Sequence, residues 1–245
     1  MISESTMVAK FASYSIGDSV YYSLRKNIIT LNLKPGEPLN IKSISEKLNV
    51  SRTPVRDALI KLAKEGLVDV IPQKGTSVSK IDLKRVEEER FLRESLELRA
   101  LEIFMNSHKD SDIARLKNNL EMQKECVKNR DMLSLLEYDD EFHRVFFEAT
   151  EKNMCWDIIQ SMSGHYRRVR LISLWEEPII TKVIDQHQKI ITSIANGKID
   201  EVMKLSRDHS SRILKEEQEL VKKYSQFFKQ QDDSNFLIKD FLKMM

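Results

Sequence analysis

Two short segments with the pattern of β-strands follow a series of amphipathic helical patterns near the start of the chain. Residues 67–71 and 76–78 favour strands, and the Pro-Gln-Lys-Gly sequence at 72–75 favours the turn between them. No later segment has strand character of equal strength. A single hairpin is at best marginally stable by itself, so the chain must build its core mainly from helices.

Apolar spacing predicts three helices in front of this hairpin. The first covers residues 16–33, the second lies at 41–48, and the third follows Ser51 and stops at Gly66, a residue suited to the position after a helix end. Three helices followed by a hairpin indicate a winged helix-turn-helix. We assign this domain to residues 15–80, behind an N-terminal extension at residues 1–14.

The remainder of the chain is predicted to be helical. Helical patterns follow one another from Leu83 to Tyr224, with breaks expected near residues 106–112, 129–131, 150–153, 176–178 and 196–200. Six glycines and five prolines in 245 residues agree with such a helical chain. The predicted fold class is therefore mainly α, with the winged helix-turn-helix first, an all-α helical bundle at 81–224, and a C-terminal tail at 225–245.

Charge is divided unevenly between the two predicted domains. Residues 1–80 carry 12 Lys and Arg against 7 Asp and Glu, a net charge of +5, whereas residues 81–245 carry 28 against 31, a net charge of −3. This division suggests that only the first domain meets a polyanion. The two cysteines form no Cys-x-x-Cys motif, and no apolar run approaches the roughly 18 residues that span a bilayer, so we expect a cytoplasmic protein.

The third predicted helix begins with two arginines at an end where the helix dipole is already positive. Arg52 and Arg56 lie four residues apart, Ser51 or Thr53 can cap the helix, and Pro54 is tolerated in its first turn. Such a helix end favours anions, and in helix-turn-helix proteins it enters the major groove of DNA. Charge alone also fits ordinary surface cations, but the order of turn, cap, helix and wing favours DNA binding.

The span LKPGEPLNIKSISEKLNVSRTPVRDALIKLAKEGLVDVIPQKGTSV closely resembles the DNA-binding domain of GntR-family bacterial transcription regulators. The resemblance covers about residues 16–80 and includes the SRTPVRDAL run, the EGLV step and the P-x-x-G wing. It implies base contacts by Arg52 and Arg56. It also implies contacts with phosphates or groove edges, made by Lys42, Ser51, Thr53 and the wing-tip residues Lys74 and Gly75.

Three histidines of the second domain interrupt or flank apolar stripes of predicted helices. His143 follows Asp139 by four residues, so both side chains can reach one point. His187 and His209 lie 10 and 12 residues from Gly197, a turn residue between two predicted antiparallel helices, so they end at nearly the same level. Three nitrogens and one carboxylate suit Zn, Ni, Co, Mn or Fe(II). Each histidine alone fits a hydrogen-bonded core residue, and Asp140 is an alternative ligand to Asp139.

The second domain is similar to the FCD effector domain of FadR-like GntR regulators. The similarity rests on LRESLELRALE, the D-x-x-F-H run, DQHQKI and RDHSSRI, spread over about residues 85–215. It implies a divalent metal ion held by Asp139, His143, His187 and His209. It also implies an effector pocket lined by Arg93. His165 is a further candidate for contact with the effector, and an exposed or structural role is the favoured alternative for this residue. We expect Arg167, Arg168 and Arg170 on a solvated face.

Together these features predict a transcription regulator, with repression as the expected action, that binds a palindromic operator as a homodimer. A small organic acid held by the metal and Arg93 would alter the placement of the DNA-binding domains. An alternative is a regulator for which the metal ion itself is the signal. A metalloenzyme is a distant alternative, because no general base is apparent beside the four candidate ligands; we predict no catalytic residues and no membrane partner.

Overall fold

The DNA-binding half has the predicted order of three helices and a hairpin. A computed structural model describes residues 15–71, 73 and 75–230 of the chain. The first five elements are α1 (Ile16–Ile29), α2 (Ile41–Leu48), α3 (Arg52–Lys64), β1 (Val68–Ile71) and β2 (Gly75–Val78). The two strands pair antiparallel, with Val68 opposite Val78 and Ile71 opposite Gly75. The predicted winged helix-turn-helix is therefore confirmed.

Local chemistry sets where these helices begin and end. Helix α1 ends four residues before the predicted position, because Leu31 takes a left-handed conformation with a φ of 61°. Asn40 caps α2 by accepting a hydrogen bond from the Ser43 amide. Ser51 occupies the N-cap position of α3, but its hydroxyl makes no capping hydrogen bond, in contrast to our expectation. Gly66 follows α3 with a φ of 74°, which few other residues adopt.

One apolar core holds this half together. It joins buried side chains of α1, α3 and the hairpin, which are Val20, Leu24, Ile28, Val55, Leu59, Leu62, Leu67, Val68 and Val78. Their spacing of three or four residues along each helix presents a single apolar face. The opposite face of α3 stays in solvent, which leaves that helix free to meet a partner.

The second half is a helical bundle, as predicted. Its helices are α4 (Leu83–Ser107), α5 (Asp110–Asn129), α6 (Met132–Ala149), α7 (Asn153–Met162), α8 (Gly164–Ser173), α9 (Glu177–Ala195) and α10 (Ile199–Lys223). The five predicted breaks lie between these helices. A sixth break, at Ser163 between α7 and α8, was not predicted. There Gly164 approaches the DNA-binding half so closely that a Cβ atom on it would lie 2.6 Å from Cδ2 of Leu67.

The chain returns to the junction of the two halves after α10. A 3-10 turn, Ser225–Phe227, leads to Phe228, which is buried and pairs with Ile81 in a parallel bridge. The Ile81 amide donates to the Phe227 carbonyl, and the Lys229 amide donates to the Ile81 carbonyl, both at 2.8 Å. We call residues 225–229 the C-terminal strap. The N-terminal extension at 1–14 and tail residues 231–245 lie outside the described residues. Among the described helices, none has the length and apolar character needed to cross a membrane.

Candidate metal centre and nucleic-acid interface

Three helices of the bundle bring the four predicted ligands together. Asp139 and His143 lie one turn apart on the buried face of α6, His187 lies on α9, and His209 lies on α10. Each of the four offers one ligand atom, and these atoms all lie within 4.8 Å of one another. All four side chains are buried, and their exposed fractions range from 0% for His187 to 8% for His209. The predicted convergence in the bundle interior is thus observed.

The outer nitrogen of each histidine is held by an oxygen acceptor. His143 Nδ1 lies 2.6 Å from Glu97 Oε1, and His187 Nδ1 lies 2.8 Å from Gln123 Oε1. His209 Nδ1 lies 3.0 Å from Gln186 Oε1. An acceptor at Nδ1 assigns the proton to that nitrogen, so the Nε2 lone pair of each ring is left to face inward. Hydrogen bonds of this kind orient histidines that bind metals.

The inner atoms of the cluster do not satisfy one another. Nε2 of His187 lies 3.7 Å from Asp139 Oδ1, and Nε2 of His143 lies 3.8 Å from Asp139 Oδ2, both too long for hydrogen bonds. Within the described residues, both Nε2 atoms are buried without a hydrogen-bond partner. Such unsatisfied buried atoms are costly. Two unsatisfied imidazole nitrogens beside a carboxylate fit a divalent cation, which would satisfy all of them at once.

Burial and neighbouring charges set the protonation states in this cluster. Burial lowers the pKa of His187 to about 3 and the pKa of His209 well below its usual range, so both rings are neutral. Burial alone would raise the pKa of Asp139, but the Arg170 guanidinium holds it well below its ordinary value. Glu97 behaves similarly: despite burial, His143 and Arg93 lower its pKa to about 2. Neutral histidines and ionised carboxylates are the forms that bind metal ions.

Three arginines surround the carboxylates beside the cluster. Arg93 Nη1 lies 3.2 Å from Asp140 Oδ1, Arg170 contacts both Asp139 and Asp140, and Arg167 pairs with Asp140. Asp140 therefore pairs with arginines, whereas Asp139 is the carboxylate that lies beside His143 and His187. The expected solvated face for Arg167 and Arg170 is wrong, because Arg170 is buried and Arg167 is mostly covered against these carboxylates.

His165 lies apart from the four candidate ligands. Its Nε2 donates to the Gly66 carbonyl at 2.9 Å, and its Nδ1 accepts from the Asp82 amide at 3.0 Å. Both ring nitrogens are thus used at the junction between the two halves, and not in a pocket near the cluster. The neighbouring Arg168 is fully buried at the same junction, so its predicted exposure is also wrong.

The candidate DNA-binding residues lie on the open side of the first domain. Arg52 and Arg56 at the start of α3 are exposed, and neither makes an ion pair with a described residue. Exposure is shared by the other described candidates, which are Lys42, Ser51, Thr53 and Gly75. Lys42 makes only a loose contact of 3.9 Å with Glu46. Gly75 has a φ of 104° in the wing turn. Lys74 lies outside the described residues.

Sequence reasoning missed the residues that support the cluster. Glu97 and Gln123 come from α4 and α5, and neither has a spacing relation to the histidines in the sequence. A local signal exists for Glu97 alone, because it follows Arg93 by one helical turn and pairs with it at 3.3 Å. Its bond to His143 spans 46 residues and depends on helix packing.

Both halves of the chain match known protein families. Residues 16–78 match the gntR family of bacterial regulatory proteins, and residues 90–212 match the FCD domain. A transcriptional regulator from an unstable DNA locus of Streptomyces ambofaciens is 32% identical over 190 residues, covering 78% of this chain and 80% of the relative. The helix-turn-helix transcriptional repressor RspR of Escherichia coli is 28% identical over 216 residues, covering 88% and 95%.

Solved structures share the fold. The Escherichia coli protein McbR/YncC is similar with a TM-score of 0.70 at 19% identity, covering 86% of this chain and 99% of that one. A GntR regulator from Rhodococcus sp. RHA1 gives a TM-score of 0.66 at 22% identity, covering 82% and 99%. These similarities extend over both halves of the molecule.

Proposed function

The chain belongs to the gntR family of bacterial DNA-binding transcription regulators and carries an FCD domain, and from this premise we propose that it is a repressor controlled by a small carboxylate. In this proposal, residues 15–80 bind the operator and residues 81–224 bind the effector at a metal centre. The observation that carries it is the buried set of one carboxylate and three imidazoles with ligand atoms within 4.8 Å.

A divalent ion would be held by Asp139, His143, His187 and His209. This ligand set of nitrogen and oxygen suits Zn, Ni, Mn, Co or Fe(II). The ion would supply a positive site at which an effector carboxylate binds. The chain's own residues prepare this site: Glu97, Gln123 and Gln186 fix the three rings, and burial keeps water away.

Arg93 supports recognition of an acidic effector. Its guanidinium is buried beside Asp140 and Glu97, close to the four candidate ligands. Arginine binds carboxylates through two parallel hydrogen bonds, and it stays charged when buried. We propose that an effector carboxylate shares Arg93 with these acidic side chains. The contacts of His165 at the junction give no support for its predicted effector role, and we assign it elsewhere.

DNA recognition is assigned to the exposed start of α3. Arg52 and Arg56 are free to form paired hydrogen bonds with guanine edges in the major groove. Lys42, Ser51 and Thr53 are assigned to phosphates around that groove, and the wing tip at Lys74 and Gly75 to the minor groove. The combination of exposed cations and an exposed helix start supports this assignment.

A homodimer fits both the operator and the surface of the bundle. Two copies of α3 related by a two-fold axis would read a palindrome. Helices α4 and α7 expose large apolar side chains, which include Phe91 at 63%, Met154 at 72% and Met162 at 57%. We propose that a second copy of the chain covers these side chains, because α4 and α7 pack against each other and a contiguous exposed apolar patch marks a protein–protein interface.

Metal binding is tested by His187→Ala in the purified full chain. We expect elemental analysis to give about one divalent ion per wild-type chain and a loss of roughly tenfold or more in the variant, since one of four ligands is removed. His108→Ala is the matched control, because His108 lies in the same domain and, among the described residues, its ring hydrogen-bonds to the Phe104 carbonyl alone. Equal metal content in wild type and His187→Ala would remove His187 from the site.

Effector control is tested by titrating operator DNA with the metal-loaded protein. Acetate, malonate and succinate serve as carboxylate probes, and metal alone serves as the reference. Operator affinity that changes only when a carboxylate is added supports the proposal. A full change with metal alone would favour the alternative in which the ion is the signal.

Base recognition is tested by Arg52→Ala. The change should cost about 1–3 kcal/mol on the operator and relax base preference at one position, because one bidentate contact with guanine is lost. Binding to operator variants with single base substitutions measures this preference. Lys47→Ala, on the exposed side of α2, is the control that keeps the preference intact. A uniform loss on all duplexes would assign Arg52 to phosphate instead.

A further inference from the structure

Helix α8 has buried polar side chains on two opposite faces. On one face, Arg167 and Arg170, three residues apart, contact the Asp139–Asp140 pair of α6. On the other face, His165 and Arg168, also three residues apart, contact the DNA-binding half. Because α8 is only 10 residues long, any tilt of this helix moves both sets of contacts.

The contacts with the DNA-binding half are dense. Arg168, fully buried, donates to the Ser79 carbonyl at 2.7 Å and to its hydroxyl at 3.3 Å. His165 bonds to the Gly66 carbonyl, which also accepts from the Ser79 hydroxyl at 2.6 Å. These bonds join α8 to the residues just before and just after the hairpin. We call Gly66, Ser79 and Asp82, with their partners His165 and Arg168, the joint.

Helix α4 also carries a row of polar side chains that extends from the DNA-binding half to the candidate metal centre. Four side chains repeat every four residues along one face of this helix, and they are Arg85, Glu89, Arg93 and Glu97. The first donates to the Glu65 carbonyl at the end of α3, at 2.7 Å. Glu89 accepts from the Tyr166 amide in the first turn of α8, at 2.7 Å. The last two reach Asp140 and His143 at the candidate metal centre.

Arg170 connects this arrangement to the proposed metal ion. In the structure it contacts the same Asp139 carboxylate that lies beside His143 and His187. A dication coordinated by this carboxylate would withdraw negative charge from Arg170 and repel its guanidinium. Asp139 therefore binds Arg170 more strongly without the ion than with it. A ligand can shift α8 between two positions only if it favours one of them, and this difference in Arg170 binding would provide that preference.

We propose that α8 transmits occupancy of the Asp139 centre to the DNA-binding domain. Arg170 responds at one face, and His165 and Arg168 carry the displacement to the joint at the other. This inference rests on the proposed metal centre. It adds a route through α8 from that centre to the DNA-binding domain, and it assigns His165 and Arg168 as positioning residues. Coupling between two sites is reciprocal. If metal binding changes the contacts at the joint, those contacts must also change the affinity for the metal.

The test compares hydrogen–deuterium exchange at the joint with and without Zn²⁺ in the full chain. In wild type, Zn²⁺ should change exchange of the amides at residues 66–68 and 79–82 by roughly fivefold or more, the lower range of allosteric coupling. Arg168→Met should still bind Zn²⁺, with a Kd that differs from wild type by no more than about the same fivefold coupling factor, by chelator competition, because Arg168 touches none of the candidate ligands. In this variant, Zn²⁺ should no longer change amide exchange at the joint.

A milder variant and a control accompany this test. Gly164→Ala adds a methyl group 2.6 Å from Leu67 Cδ2 and alters the joint without removing a charge, so it should reduce the response even if Arg168→Met fails to fold. Arg99→Met removes an exposed arginine of α4 whose one ion pair in the described part of the chain is with Glu102, and the joint of this variant should respond to Zn²⁺ as it does in wild type.

The outcomes separate the two proposals. Zn²⁺ binding in wild type without a change at the joint overturns transmission by α8 and leaves the metal centre intact. A full response in both Arg168→Met and Gly164→Ala also overturns it. Absence of Zn²⁺ and Mn²⁺ binding in wild type removes the proposed metal centre, and transmission from it as well.

Discussion

At the scale of single residues, this protein places ionisable groups where only specific partners make them tolerable. Arg168 is completely buried, yet Ser79 and Gly164 provide three acceptors for its guanidinium. Burial and the adjacent Arg168 lower the pKa of His165 to about 3, so this ring stays neutral at the joint. Removing one partner from such a group leaves the other unsatisfied, which costs far more than the pair contributes.

Glu89 gives a prediction about pH. Burial raises its pKa from 4.5 to about 7, although the Tyr166 and His165 amides, Arg168 and Arg85 oppose this shift. The folded chain therefore favours the protonated form, and the free energy of unfolding falls as the pH rises from about 4.5 to about 7. One pKa unit corresponds to about 1.4 kcal/mol, so a pKa raised from 4.5 to about 7 should make Glu89→Gln more stable than wild type by roughly 3 kcal/mol at pH 8.

The difference between the two proteins should disappear near pH 4, where Glu89 is protonated in both the folded and the unfolded chain. Urea denaturation at both pH values measures it. Glu88→Gln is the control, because Glu88 is the exposed neighbour on the same turn. Equal stability of Glu89→Gln and wild type at pH 8 would contradict the raised pKa.

At the scale of elements, the junction between the two halves is held from two sides. Helix α8 contacts it through His165 and Arg168, and the C-terminal strap pairs with Ile81. Lys229 of the strap also pairs with Asp82 at 3.4 Å. The residues that connect the wing to α4 thus lie between α8 and the end of the chain. This arrangement limits how the DNA-binding half can move relative to the bundle.

The strap is predicted to stabilise the folded chain through Phe228. This side chain is 2% exposed and packs in the same apolar cluster as Ile81 and Leu220. Phe228→Ala should lower the free energy of unfolding by about 3 kcal/mol, since it removes a buried aromatic ring and leaves a cavity. Urea denaturation measures the loss. Gln226→Ala, an exposed strap residue, should change stability by less than about 0.5 kcal/mol.

At the scale of the whole molecule, the two halves differ in charge and in task. The basic half exposes Arg52 and Arg56, whereas the bundle has a net negative charge and buries Arg93 and Arg170 against carboxylates. Only the first half is therefore equipped to attract a polyanion. A ligand inside the bundle can influence DNA only through contacts that join the halves. In a homodimer, such contacts would set the separation of two α3 helices.

The proposed dimer leads to a prediction about stoichiometry. Light scattering should give twice the mass of one chain for the free protein, and two chains per operator duplex for the complex. A duplex in which one half of the palindrome is scrambled should bind at least tenfold more weakly, because one reading helix loses its base contacts. Phe91→Lys and Met154→Lys should favour the monomer if α4 and α7 form the interface. Monomeric wild-type protein that binds the intact operator with full affinity would contradict the dimer.

The sequence by itself determined the fold class and the order of elements. Helical spacing, the Gly66 stop and the strand pair at 67–78 are local properties, and a local pattern suffices to predict a local structure. It also identified Asp139, His143, His187 and His209, because spacing along α6 and around the turn at Gly197 relates these residues within one helix or one helix pair. Their binding of metal and the DNA contacts of α3 stay predictions.

Only the tertiary structure decided which charged residues are buried. Arg167, Arg168 and Arg170 have the sequence pattern of a solvated face, but carboxylates of α6 and carbonyls near the wing surround them. Burial of an arginine depends on acceptors from distant helices, and spacing along one helix does not reveal them. The same reason hid Glu97 and Gln123, and it hid the role of α8 between the bundle centre and the joint.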